Sequence, residues 1–267
     1  MAVGIGLPLF RLLYACSRLE PPRRVWMHHP IVLVTGPPFS GTLWTQVCRR
    51  LESHQLPTIV VDLLEPAGDG TLAGAAARIL DALRAQEAPI LVAHGTAIPA
   101  ALLAAQQSPP AGLVLTNGAL SGLDPALRIL SRLPAAALHP RLWLRYLASS
   151  AALRRIVVNP YVMDHDTVVA VCEPGIRSSD HRRAQINLLR AVAKSAGTIP
   201  AHPGPTLIIW GDEDHLYPLN IVDSSRTDFP QVRMSTVPGG RHLHPIERPW
   251  FIADEIRNWC ALGLTTT

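Results

Sequence analysis

The sequence predicts an α/β protein, with a mostly parallel sheet flanked by helices and a helical cap inserted into it. Three observations carry this reading. Short apolar runs of strand length recur along the chain. Helix-periodic segments lie between them. From Leu120 to about Pro200 the alternation stops and only helical patterns remain.

The strand candidates come in order. They are Pro30–Thr35, Thr58–Asp62, Pro89–His94, Gly112–Thr116, Pro205–Trp210 and Val232–Val237. Most are unbroken aliphatic or β-branched runs, the pattern of parallel strands covered on both faces. Leu72–Gln86 repeats apolar residues at helical spacing, and Ile98–Gln107 does the same until Pro109-Pro110 stops it. Pro249–Leu262 is an amphipathic terminal helix with proline in its first turn. Within the insertion, helical pieces are expected at Ala126–Leu133, Leu142–Leu153, Asp166–Glu173 and His181–Ala196. The expected domains are a core of 1–119 and 201–267 and a cap of 120–200. An apolar pocket at their junction is the natural ligand site.

Composition narrows the function classes. With 267 residues, 48% hydrophobic and 16% charged, the chain buries a full core and is not a disordered one. Four dispersed cysteines (Cys16, Cys48, Cys172, Cys260) offer neither a disulfide framework nor zinc spacing. The net charge of +4 is almost entirely arginine, with Lys194 the one lysine. The arginines come as scattered pairs (Arg23/Arg24, Arg49/Arg50, Arg154/Arg155, Arg182/Arg183), without interleaved aromatics. No nucleic-acid partner is therefore expected. The apolar stretch Ala2–Cys16 is interrupted by Arg11 and has no basic region before it, so it reads as an N-terminal arm and not a secretory signal. No uncharged apolar run reaches membrane-spanning length, so the expectation is a cytoplasmic protein without a membrane partner.

Three segments carry chemistry. Ala93-His94-Gly95-Thr96-Ala97 lies at a strand end before a helix. Trp210-Gly211-Asp212-Glu213-Asp214 follows a strand, and so does Pro238-Gly239-Gly240-Arg241-His242. Their order and spacing resemble the α/β-hydrolase superfamily from about Pro30 to Leu262, closest to its capped epoxide-hydrolase-like and haloperoxidase-like branches. That family places nucleophile, acid and histidine in this order. The resemblance implies Asp214 as the acid and His242 as the histidine, with Asp212 and His244 as weaker candidates two residues away.

The sequence departs from the family at two places. The elbow centre is Gly95, which has no side chain to attack a substrate. Thr96 is adjacent, and its N–H is expected to survive as an oxyanion donor. In the loop Thr35–Gly41, Pro37 in the second donor position lacks an N–H, unless the alignment slips and Phe39 or Ser40 donates. Gly95, Thr96, Pro37, Phe39 and the cap residue Trp143 are thus the expected substrate-binding set. Tyr146, Tyr161, Met163 and Trp44 line a pocket or fill a core equally well. His28-His29 and Asp62 read as loop features, His94 as packing and Asn117 as a turn cap.

The resulting expectation is a nucleophile-less enzyme of bacterial specialised metabolism. His242, oriented by Asp214, acts as general base on an apolar small molecule, in an elimination or cyclisation. A cofactor-free oxygenation or a water-activating hydrolysis begins with the same base. A non-catalytic binding protein remains the alternative from another class, and Thr96 as a substitute nucleophile a third. No cofactor and no metal are expected, because no dinucleotide fingerprint, phosphate loop or ligand spacing occurs. Oligomeric state has no signature in the sequence.

Overall fold

The computed structural model describes residues 29–195 and 197–263. The N-terminal arm, Cys16, Arg23/Arg24 and His28 lie outside the described residues. In chain order the elements are β1 (Ile31–Thr35), α1 (Thr45–Ser53), β2 (Thr58–Asp62), α2 (Leu72–Arg84), β3 (Ile90–Gly95), α3 (Ile98–Gln107) and β4 (Gly112–Gly118). Five helices follow: α4 (Pro125–Arg132), α5 (Pro140–Leu147), α6 (Ser150–Ile156), α7 (His165–Cys172) and α8 (Ser179–Lys194). The chain then returns through β5 (Thr206–Gly211), α9 (Leu219–Ser225), β6 (Val232–Val237), α10 (His244–Glu247) and α11 (Pro249–Ala261).

Six strands form one sheet in the order β2-β1-β3-β4-β5-β6, and every neighbouring pair is parallel. The two faces follow from strand alternation. Val32, Val34, Leu91, Ala93, Leu113 and Leu115 point to one side and pack with α2, α3 and α8. Ile31, Leu33, Ile90, Val92, Val114 and Ile209 point to the other and pack with α1 and α11. With both faces covered, the inner strands need the continuous apolar runs that made them legible.

The insertion departs from expectation in one helix. The segment expected as a single helix over Leu142–Leu153 is two, α5 and α6. The break is at Ser149, whose backbone is extended (φ −70°, ψ 144°) and whose side chain accepts the Ala152 N–H. A serine at that position satisfies an orphan donor of a new helix and stops the old one. Asp124, Asp164 and Ser178 start α4, α7 and α8 in the same way.

One sheet irregularity positions the site. The β3–β4 register runs His94↔Thr116 and then Gly95↔Gly118, so Asn117 is an extra residue bulged out of β4, with φ +23°. A bulge of this kind re-aims a side chain. Gly118 is required beside it, because a Cβ there would collide with the Gly95 carbonyl oxygen.

Candidate active site

Four turns at the carboxyl ends of β3, β4, β5 and β6 converge. β3 ends at Gly95, which has φ +62°, in the region that favours glycine. β4 contributes Asn117. The loop after β5 carries Asp214, and the loop after β6 carries His242. Both of these side chains are buried, at 0% and 2% exposure.

Asp214 is fully engaged. Its Oδ1 accepts the Leu216 and Tyr217 backbone N–H groups at 2.7 and 3.2 Å. Its Oδ2 accepts Asn117 Nδ2 at 2.6 Å and faces His242 Nδ1 at 3.1 Å. Burial by itself pushes this carboxyl up, but the His242 imidazole and these donors outweigh it and hold the group below its ordinary value. A carboxylate so fixed holds the Nδ1–H tautomer, which leaves the Nε2 lone pair free. Nε2 points at Gly95: a Cβ on that residue would lie 3.7 Å from it.

The rings of His94, Tyr217 and Phe39 surround His242, with centroids 4.7, 5.6 and 5.8 Å away. His94 also lies 6.1 Å from His244. Burial, with His242 and His244 nearby, holds His94 well below its ordinary value. Burial likewise pushes His244 down to about 4, although the Arg241 carbonyl and Asp214 oppose it. Both are therefore neutral in the folded protein where an unfolded histidine is already protonated. The stability they permit is complete above about pH 6.5 and falls as pH drops below it. His244 alone gives a slope of roughly 1 kcal/mol per pH unit between about 6 and 5, and His94 adds to it in the same direction. Urea midpoints across that range are expected to fall steadily, and the fall should be shallower in His244→Asn.

The loop after β1 offers no second oxyanion donor. Pro37 has no N–H, Phe39 N–H donates to the Gly36 carbonyl at 3.1 Å, and Ser40 N–H donates to the Val171 carbonyl at 2.7 Å. The Thr96 hydroxyl donates to the Pro37 carbonyl. The Thr96 N–H has no acceptor among the described residues.

A cavity of about 380 Å³ lies between this centre and the helical insertion. It is lined by Pro38, Phe39, Leu130, Trp143, Leu147 and Leu216 among others. Its charged lining is the pair Asp124 and Arg155, 3.3 Å apart, with Asp124 buried. Of the expected substrate-binding set, Phe39 and Trp143 line the cavity, while Gly95, Thr96 and Pro37 do not. Phe39 is shared between the cavity wall and the packing around His242. Tyr146 lines the cavity too, whereas Trp44 is fully buried and Tyr161 is 91% exposed.

Sequence reasoning did not assign Asn117 its place. Its Nδ2 donates to Asp214 and its Oδ1 accepts the Gly211 N–H at 2.8 Å, so it ties β4 to β5 behind Asp214. The one sequence cue was an asparagine at a strand's carboxyl end directly before a glycine, which does not reveal the bulge. Asn117→Ala leaves a buried N–H and one carboxylate lone pair unmatched, and is expected to lower stability by about 1–3 kcal/mol in urea unfolding.

Solved structures with the same architecture are numerous. A thermophilic esterase from Thermogutta terrifontis superposes with a TM-score of 0.69 at 20% identity, over 89% of this chain and 91% of that one. A bromoperoxidase from Bacillus anthracis gives 0.70 at 15% identity, over 88% and 92%. The chain has the α/β-hydrolase fold. A putative ancestral haloalkane dehalogenase shares the α/β-hydrolase fold with it at a TM-score of 0.66 and 18% identity, over 88% and 92%. No family model and no curated protein matches the chain in sequence. Among the described residues, no helix is long and apolar enough to cross a membrane.

Proposed function

We propose that the protein is an enzyme in which His242, oriented by Asp214, is a general base working without a covalent nucleophile on an apolar small molecule. One observation carries the reading: the His242 Nε2 faces the position over Gly95 where a nucleophile's Cβ would lie, 3.7 Å away, and glycine leaves that position open. A substrate C–H or O–H seated there gives its proton to Nε2. The bond's electrons then move into a new double bond as a leaving group departs, or form a ring-closing bond to a carbonyl carbon of the same substrate, whose π pair moves onto its oxygen as an oxyanion. The imidazolium is stabilised by the Asp214 carboxylate, and a developing oxyanion by the Thr96 N–H. Elimination or cyclisation leads this reading, of a kind suited to specialised metabolism. The apolar lining of the cavity supports an apolar substrate, with the Asp124–Arg155 pair as its polar end.

A second reading, a small-molecule-binding protein without turnover, is favoured by the absence of His242 from the cavity wall. A nitrobenzisoxazole separates the two, because its ring opens when a base removes a carbon-bound proton. Ring opening above the buffer background supports the base. Saturable binding of the same compound with background-level opening supports the binding protein and sinks the enzyme reading.

A further inference from the structure

The helical insertion has an uneven surface. Residues 125–163 contain six arginines and no aspartate, glutamate or lysine. The whole chain carries only +4, so the rest of it is net negative. On α4 and α5 the arginines alternate with apolar side chains in a repeated step. Arg128 precedes Ile129, Arg132 precedes Leu133, Arg141 precedes Leu142, and Arg145 precedes Tyr146. Each pair recurs four residues on, so each helix carries a basic stripe beside an apolar one.

These apolar side chains are in water. Ile129 is 63% exposed, Leu133 40%, Leu142 66% and Tyr146 48%. Ile129, Leu133 and Tyr146 also line the cavity, so its mouth has an exposed apolar rim. Arg132, Arg141 and Arg145 are exposed and make no ion pair among the described residues.

We propose that this face docks on an anionic lipid surface. Unpaired arginines next to exposed aliphatic and tyrosine side chains match a layer of anionic headgroups over acyl chains. A second copy of the same face would set its arginines against like charges. A phosphodiester backbone would leave Ile129 and Leu142 without a partner. Docking in this orientation presents the cavity mouth to the bilayer, so an apolar ligand enters from lipid without crossing water. The surface does not depend on the His242 chemistry. The sequence expectation of no membrane partner rested on the lack of a spanning segment, which a peripheral contact does not need.

Co-sedimentation with vesicles tests this, comparing phosphatidylcholine alone with phosphatidylcholine containing one-third phosphatidylglycerol. The wild-type protein is expected to bind the anionic vesicles at low salt, less at high salt, and the neutral ones weakly. The triple variant Arg132→Gln/Arg141→Gln/Arg145→Gln is expected to partition roughly a hundredfold more weakly. Leu142→Ser, outside the cavity, is expected to weaken binding while keeping its salt dependence. Arg49→Gln/Arg84→Gln, on α1 and α2, removes charge elsewhere and should bind nearly as wild type. Circular dichroism confirms that the variants are folded. Three results overturn the proposal: no anionic binding at low salt, equal loss in the Arg49/Arg84 variant, or a dimer that Leu142→Ser dissolves in a protein indifferent to vesicles.

Discussion

Gly95→Ser is expected to turn the protein into a slow esterase. The new Cβ meets only His242 within 4 Å, at 3.7 Å from Nε2 and 3.9 Å from Cε1. These are ordinary contacts, so the new Cβ fits without displacing a neighbour. Its hydroxyl, one bond further out, comes within hydrogen-bond reach of an imidazole already held by Asp214. The backbone penalty is that of a non-glycine residue at φ +62°, about 1–3 kcal/mol. The variant would be a poor catalyst, because Phe39 and Ser40 N–H groups are occupied and only the Thr96 N–H remains for the oxyanion. One missing donor lowers acyl-transfer rates by roughly 10²–10³. A burst of nitrophenol from a short-chain nitrophenyl ester, stoichiometric with Gly95→Ser and absent from wild type, is the expected trace. The same traces from both proteins would mean that Gly95 is not the elbow.

His242→Ala is expected to abolish proton abstraction and to spare ligand binding. A positioned base contributes roughly 10²–10⁴, so nitrobenzisoxazole opening should fall to the buffer rate. The compound's affinity should largely hold, because its apolar body rests on the cavity lining, to which His242 does not belong. Asp214→Asn should be nearly as severe, for a different reason. The Leu216 and Tyr217 N–H groups fix the carbonyl end of the new amide, so its NH₂ faces His242 Nδ1. The imidazole must then carry its proton on Nε2 and present the wrong tautomer, a change worth about 10⁴ where the geometry is otherwise kept, and the new NH₂ also meets the Asn117 NH₂, which lowers stability. If His242→Ala loses binding and opening together, the imidazole is part of the binding surface, and its role as a base is unsupported.

The fold was legible because its signals are local. Six apolar runs each long enough for a strand, separated by helical segments, specify a parallel sheet covered on both faces, and the six strands stand where the runs do. Helix α1 escaped notice because its buried stripe is Val47 and Leu51 alone among charged and polar neighbours. The split between α5 and α6 hinges on one serine. The His–Asp pair was legible as residue types at strand ends in a known order, and the two side chains do meet at 3.1 Å. Asn117 was not legible, since residue type says nothing of a bulge that turns the amide toward Asp214. Nor was the place of Phe39, which lines the cavity and has its ring 5.8 Å from that of His242.

The most direct test of a nucleophile-free centre is intact-mass analysis after a fluorophosphonate, with Gly95→Ser alongside. The wild-type mass is expected to stay unchanged while the variant gains one adduct. A stoichiometric adduct on the wild-type protein, at Thr96 or any serine near His242, would contradict the account and make the chain a covalent hydrolase.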